Sequence, residues 1–299
     1  MFEIMAKHLP RAHSFADDTQ LYVSCSPKEE DGQSSAIIAM ERCIIEIKKW
    51  MAEDKLLLND AKTEFLVIGT RQQLSMININ SIKIGDADIV PESPIRNLGA
   101  WFDSTLSMEA HVTKTSSTGF YYLYNFKRIR RYLSRENMET LIHAFISCRL
   151  DYCNSLMYGL PAYQLAKLQR VQNAAARLIF NESKFCHITP LLHSLHWLPI
   201  KYRIDFKILL LTFKSLHQQG PVYLRELLKV KDCGSYNLRS NNSLLLTLPP
   251  AKSYTTLGDR AFMYAAPKLW NALPEQIRNS TSVGIFKTQV KTYLFKIAF

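Results

Sequence analysis

A chain of 299 residues, 47% hydrophobic and 21% charged, is long enough for two domains and too apolar for a disordered segment. Its formal charge of +11 is uneven: residues 1–100 hold 11 Lys/Arg against 15 Asp/Glu, and the other 26 basic and 11 acidic residues follow them. A neutral-to-acidic front and a basic rear fit a catalytic or folding unit followed by a surface for a polyanion, although plain solubility charge reads the same way.

From the start of the chain, His13 to Ser24 predicts strand, tight turn, strand, with Asp17 and Asp18 at the turn. Ser26 to Ser35 is polar, carries Pro27 and Gly32, and is expected as a loop. Ile37, Met40, Ile44, Ile47 and Met51 recur at steps of three and four, so a helix follows. Thr63 to Gly69 is a short apolar run ending in glycine, as a buried strand would be, and further short strands are expected around Met76 to Ile79, Ser81 to Ile84 and Asn97 to Phe102. After Leu106 the pattern turns helical. Ser134 is placed to cap a helix through Met138, Leu141, Ala144, Phe145 and Cys148. Pro161 precedes a helix along Leu165, Leu168, Val171, Ala175 and Leu178; Thr189 and Pro190 open a short one; Lys201 to His217 forms a long one, and Val283 to Phe295 the last. Pro249, Pro250 and Ser253 mark a loop-rich stretch. The expected fold class is α+β, with a boundary near Ser104 to Thr118 and a looser break near Lys231 to Ser253.

Neither end effects nor cysteines point outside the cell. Met1 to Pro10 lacks the basic start and apolar block of a secretion signal, and the longest apolar run, near Ile208 to Phe213, is far too short for a bilayer. The six cysteines (Cys25, Cys43, Cys148, Cys153, Cys186, Cys233) include no CxxC pair, so an intracellular, reduced protein is expected. Cys186, His187, His193 and His196 invite a zinc reading, but their spacing fits no common structural site, and His193 and His196 also fit a helix face bordering the core.

Adjacent aspartates in an exposed turn suit Mg²⁺, which takes hard oxygen ligands and keeps waters to exchange for phosphate oxygens. Aspartate is also a favoured turn residue for local hydrogen-bonding reasons, so the pair alone decides little. Its context says more. FADDTQLYVS resembles the YADD palm motif of reverse transcriptases, in the form found in non-LTR (LINE-type) retrotransposons. LLLNDAKTEFLVIG, Leu56 to Gly69, resembles the following palm segment, and RNLGAWFDSTLSMEAHV, Arg96 to Val112, the primer-grip segment. RLDYCNSLMYGLP, LQRVQNAAARLIF, HITPLLHSLHWLPIKYRIDFKILLLTFKSL and AAPKLWNALPEQIR are similar to the thumb and C-terminal region of jockey-like and chicken-repeat-type elements. The blocks run in order from Ser14 to Phe299.

The resemblance implies an incomplete palm of β-hairpins plus a helix over 1–110, a helical thumb over 111–230 and a helical C-terminal extension over 231–299. It makes Asp17 a direct metal ligand and Asp18 its neighbour, and Phe15 takes the place of the more frequent tyrosine. Lys62 becomes a candidate general acid beside the pyrophosphate leaving group, or else an ordinary surface lysine before a strand. Leu98, Gly99 and Trp101 belong to the hairpin that holds the primer 3′ end, where Gly99 permits close backbone approach. Lys127, Arg128, Arg130, Arg131 and Arg135 suit phosphate contacts without base reading, and Tyr121, Tyr122 and Tyr124 stand before them as stacking platforms. Expected partners are an RNA template and a DNA primer, with no ligand beyond the incoming dNTP and no membrane, and the family's priming on chromosomal DNA implies a nuclear site of action.

The family pattern also requires upstream fingers and a palm strand whose aspartate shares the metals. Sixteen residues precede Asp17, with Glu3 the sole acid among them, so polymerisation by the chain alone is not expected, and Mg²⁺ is expected only where other residues complete the site. Two non-catalytic readings stay open: a basic nucleic-acid-binding remnant, and a helical protein-interaction module in which Trp197 and Trp270 serve either as interface anchors or as core.

Overall fold

The computed structural model describes residues 1–9, 11–231, 244–249 and 257–299, and within them the chain is α+β, with three small antiparallel hairpins and a predominance of helix. Cys233, Pro250 and Ser253 lie outside the described residues. The chain divides into two units, Met1–Ala110 and His111–Phe299, each considered by itself.

The first unit begins with α1 (Phe2–His8), the hairpin β1 (Arg11–Phe15) and β2 (Asp18–Tyr22), and the long helix α2 (Glu30–Glu53). Met40, Cys43, Ile44 and Ile47 of α2 are buried at helical spacing against Met5 and Leu9 from the α1 end and against Ile82 and Ile84. Beyond α2 come a 3-10 turn at Asp60–Lys62, α3 (Arg71–Leu74), the hairpin β3 (Ile82–Ile84) and β4 (Ala87–Ile89), and the hairpin β5 (Ile95–Asn97) and β6 (Ala100–Phe102).

Three sequence expectations change here. The loop foreseen up to Ser35 is shorter, because α2 starts at Glu30. Glu30 and Asp31 in its first turn suit the positive end of the helix, and buried Gln33 earns its place by accepting from the Asn78 amide at 2.9 Å while donating to the carbonyls of Pro27 and Met76. Thr63 to Gly69 is not a strand: it makes one isolated bridge, Phe65 to Pro91, and an amide bond from Glu92, since no neighbouring strand is offered to it. Met76 to Ile79 forms no strand either, because the Asn78 amide is taken by the Gln33 side chain. Among the described residues the strands remain three separate two-stranded pairs instead of one sheet.

The second unit is helical: α4 (Glu109–Ile129), which starts at the division, then α5 (Arg135–Ile142), α6 (Cys148–Asp151), α7 (Ala162–Phe180), α8 (Ile188–Ser194), α9 (Ile200–Leu216), α10 (Val222–Glu226), α11 (Phe262–Asn271), α12 (Glu275–Arg278) and α13 (Val283–Ala298). Ser134 caps α5 as the sequence foretold, its hydroxyl accepting from the Asn137 amide at 3.2 Å, and a π-turn at His143–Ser147 carries that helix on into α6. Leu209 and Phe213 of α9 pack on Trp270 of α11 and on Phe286, Val290 and Leu294 of α13, so the described helices beyond residue 231 share one core with α9. Trp270 is fully buried and donates its indole N–H to the Leu244 carbonyl at 2.7 Å, while Trp197 is 5% exposed; both are core residues and neither is open to a partner. Helices α4 and α7 meet at Gly119, where an added Cβ would come within 2.6 Å of Val171 Cγ1. Among the described residues no helix is long and apolar enough to cross a membrane.

Candidate metal and nucleic-acid site

In the first unit, β1 and β2 pair in full register, with Phe15 opposite Asp18, and leave a two-residue turn of Ala16 and Asp17. Ala16 holds φ at 55°, a left-handed conformation that costs a non-glycine residue free energy and that gathers at functional turns. Ser14 steadies the turn, its hydroxyl lying 3.2 Å from the Thr19 hydroxyl and 3.3 Å from the Ala16 carbonyl. The result is a tip that displays Asp17, Asp18 and the 69% exposed ring of Phe15 to solvent.

The β5–β6 hairpin places its own turn residues similarly. Leu98 (φ 44°) and Gly99 (φ 84°) are both left-handed, as a two-residue mirror-image turn requires, with Asn97 paired to Ala100 across it. Leu98 is 40% exposed at this tip, and Trp101 sits half-buried on β6 opposite Arg96. The two hairpins are tied together by Gln20, whose Nε2 donates to Asn97 Oδ1 at 2.8 Å. Lys62 belongs to neither: it is exposed at the end of the 3-10 turn, and its side chain makes no hydrogen bond or ion pair among the described residues. Its neighbour Asp60 instead pairs with Lys48 at 2.7 Å.

Asp103, which sequence reasoning passed over, organises the chain directly after β6. Its carboxylate accepts from the Thr105, Ser107 and Met108 amides and from the hydroxyls of Thr105 and Ser107. Burial would raise this carboxyl, but the donors of Ser107, Thr105 and Met108 outweigh burial and hold it below its ordinary value. The run DSTLS carried the signal, since an Asp followed by hydroxyl residues is a turn-forming pattern.

Exposed, unburdened carboxylates at Asp17 and Asp18 are suitable donors for one Mg²⁺ ion that completes its octahedron with water and phosphate oxygens. They do not suffice for two ions about 3.5–4 Å apart, and among the described residues no third His, Cys, Asp or Glu joins them to form a metal-binding group. The cysteine–histidine cluster does not converge either: His193 and His196 lie against the ring of Phe295, at 5.0 and 5.9 Å between centroids, and the Cys186 thiol points to the His187 carbonyl.

The basic segment lies in the second unit, at the end of α4. Lys127 and Arg128 are exposed and without side-chain partners among the described residues. Arg131 rests its guanidinium over Tyr132 at 4.6 Å, and Arg135 over Phe180 at 4.1 Å; both side chains remain exposed. Arg130 is different. Its guanidinium donates to the Leu178 and Ile179 carbonyls at 2.9 Å and to the Leu133 carbonyl at 2.8 Å, so it closes the C-terminal end of α7. That duty removes it from the set of free phosphate ligands. The tyrosines divide in the same way: Tyr121 and Tyr124, 63% and 66% exposed, share one face of α4 with Arg128, whereas Tyr122 packs against Phe126 and Phe145.

Comparison of the chain with protein-family models, with curated proteins and with solved structures finds no match.

Proposed function

We propose that this chain is the C-terminal palm hairpin and thumb of a non-LTR retrotransposon reverse transcriptase, acting on an RNA template and a DNA primer. One observation carries the reading: the segment FADDTQLYVS supplies the two-residue turn and second strand of a hairpin that presents Asp17 in the turn and Asp18 beside it to solvent. Both carboxylates are exposed, where an ion and a phosphate can reach them. Asp17 and Asp18 would hold Mg²⁺ together with a third carboxylate supplied from outside the described residues, and the ion would stabilise negative charge on the phosphoryl group being transferred. The hydrogen bond between Gln20 and Asn97 supports the role of Leu98, Gly99 and Trp101 as a primer grip, because it fixes their hairpin to the one that carries the acids. Lys127, Arg128, Arg131 and Arg135 supply positive charge for the duplex backbone, beside the exposed rings of Tyr121 and Tyr124.

Purified chain, an RNA–DNA primer–template and Mg²⁺ test this directly. Binding should weaken about 10- to 100-fold between 50 and 200 mM salt and again on Arg128→Glu with Arg131→Glu, and no primer extension should occur. Binding indifferent to salt and to charge reversal would remove the nucleic-acid reading. Extension abolished by Asp17→Ala would overturn the claim that the acids need an outside partner. The incomplete carboxylate set also favours a second reading, a non-catalytic nucleic-acid binder in which the α4 face alone acts and Asp17→Ala changes nothing.

A further inference from the structure

A cavity of about 490 Å³ opens in the second unit between the loop Met157–Leu160, the start of α7, the start of α9, the 3-10 turn Gly258–Arg260 and α11. Its size falls within the roughly 300–1,000 Å³ of small-molecule sites. Met157, Leu160, Leu165 and Ile204 give it an apolar floor, three of them at most 6% exposed. Asp205 lines it with only 9% of its surface exposed and no hydrogen bond among the described residues. The charge that opposes its burial is that of Lys201, a turn earlier on α9. Exposed Lys201 and Lys268 stand on the rim, and Arg260 is held in place by the Tyr158 and Leu156 carbonyls.

A nearly buried acid without a hydrogen-bond donor is costly, and its cost is relieved by a ligand that brings donors. Asp205 shows that cost, its carboxyl being pushed up to about 6 by burial against the weaker opposing pull of Lys201. Burial, and then the charges of Asp205 and Asp259, likewise push the Tyr158 phenol up. The ligand must therefore present donors to Asp205, flat or apolar surface to the floor and the Tyr158 side, and negative charge to the lysine rim. A simple amine meets the first demand and fails the other two.

We propose that this cavity is a nucleotide pocket for an unpaired guanine, in which Asp205 accepts the adjacent N1–H and N2–H donors of the base and Lys201 and Lys268 hold its phosphate. Guanine alone among the four bases offers two neighbouring donors to one carboxylate; adenine and cytosine pair a donor with an acceptor, and uracil sets a single donor between acceptors. Reading a splayed base on its Watson–Crick edge is the usual way of recognising single-stranded RNA. The pocket stands apart from the polymerase reading, because a mononucleotide probe needs neither primer nor synthesis.

The test is calorimetric titration of the full chain with GMP, IMP, AMP, CMP and UMP, and with the guanidinium amine agmatine. GMP should bind saturably, and IMP, which lacks the exocyclic amine, about tenfold more weakly or worse. Asp205→Asn should cost GMP about tenfold or more without unfolding the chain, and Lys201→Ala with Lys268→Ala should lower GMP affinity while leaving guanosine unaffected. Equal affinity for all the nucleotides, agmatine binding in preference to GMP, or GMP affinity unchanged in Asp205→Asn would each overturn the assignment.

Discussion

Gln20 and Asn97 are 77 residues apart in sequence, yet the amide of the first donates to the amide oxygen of the second at 2.8 Å and pins the acid-bearing hairpin to the Leu98–Gly99 turn. Since each hairpin has only two strands and neither adds a strand to the other, this bond supplies a link that sheet pairing does not. A double-mutant cycle with Gln20→Ala and Asn97→Ala should give a coupling energy of about 0.5–1.5 kcal/mol in urea unfolding. Additive effects of the two changes would mean that the hairpins are held together by something else.

Asp103 makes the first unit sensitive to acid. Its folded carboxyl titrates below its ordinary value of 3.8, so its contribution is present above that value and is lost as the pH falls through the folded value. Asp103→Asn should destabilise the unit by about 1–3 kcal/mol at neutral pH and by progressively less in acid. Chemical unfolding at pH 7 and at pH 3 measures the difference, and an undiminished gap at the lower pH would contradict it.

Arg130 and Arg128 should separate stability from binding. Arg130→Ala leaves the last carbonyls of α7 without their donors and should cost about 1–3 kcal/mol. Arg130→Lys should not restore it, because an ammonium cannot reproduce the guanidinium fork. Arg128→Glu should leave the unfolding midpoint within about 0.5 kcal/mol of the parent while weakening duplex binding. Unfolding curves and fluorescence anisotropy on the same samples give both readouts.

Asp205 should lower stability at neutral pH. Its folded value of about 6 lies above the ordinary 3.8, so its favourable balance is complete below 3.8 and is lost as the pH rises through 6. Asp205→Asn should therefore raise stability at pH 7.5 by up to about 3 kcal/mol and have little effect near pH 4. A destabilised Asp205→Asn at pH 7.5 would show that the acid has a compensating partner.

Much of the helical rear was legible, because its apolar residues recur with a helical period long enough to be unambiguous. Ser134, with Met138 and Leu141 following, fixed both a cap and a face. The hairpin around Asp17 and Asp18 was also legible, since β-type residues flank a pair of turn formers. Thr63 to Gly69 misled because apolar character specifies burial and says nothing of a pairing partner, which is a tertiary matter. The commitment of Arg130 to α7 was equally invisible: in sequence it is one of five clustered basic residues, and only the arrival of Leu178 and Ile179 distinguishes it from Arg128. Asp205 gave no signal either, as an aspartate between Ile204 and Phe206 looks like an ordinary polar position on a long helix.

The bare backbone at Gly119 sets a preferred angle for α4. Val171 of α7 fills the space where any other residue would carry a Cβ, so turning the helix by one position would drive Phe120 or Thr118 into that gap. The helix is keyed like a bolt with a single flat, and the outward bearing of Tyr121, Tyr124 and Arg128 is settled by this packing. A nucleic acid docking there would meet a ready-made rail and spend little of its binding free energy on orienting it.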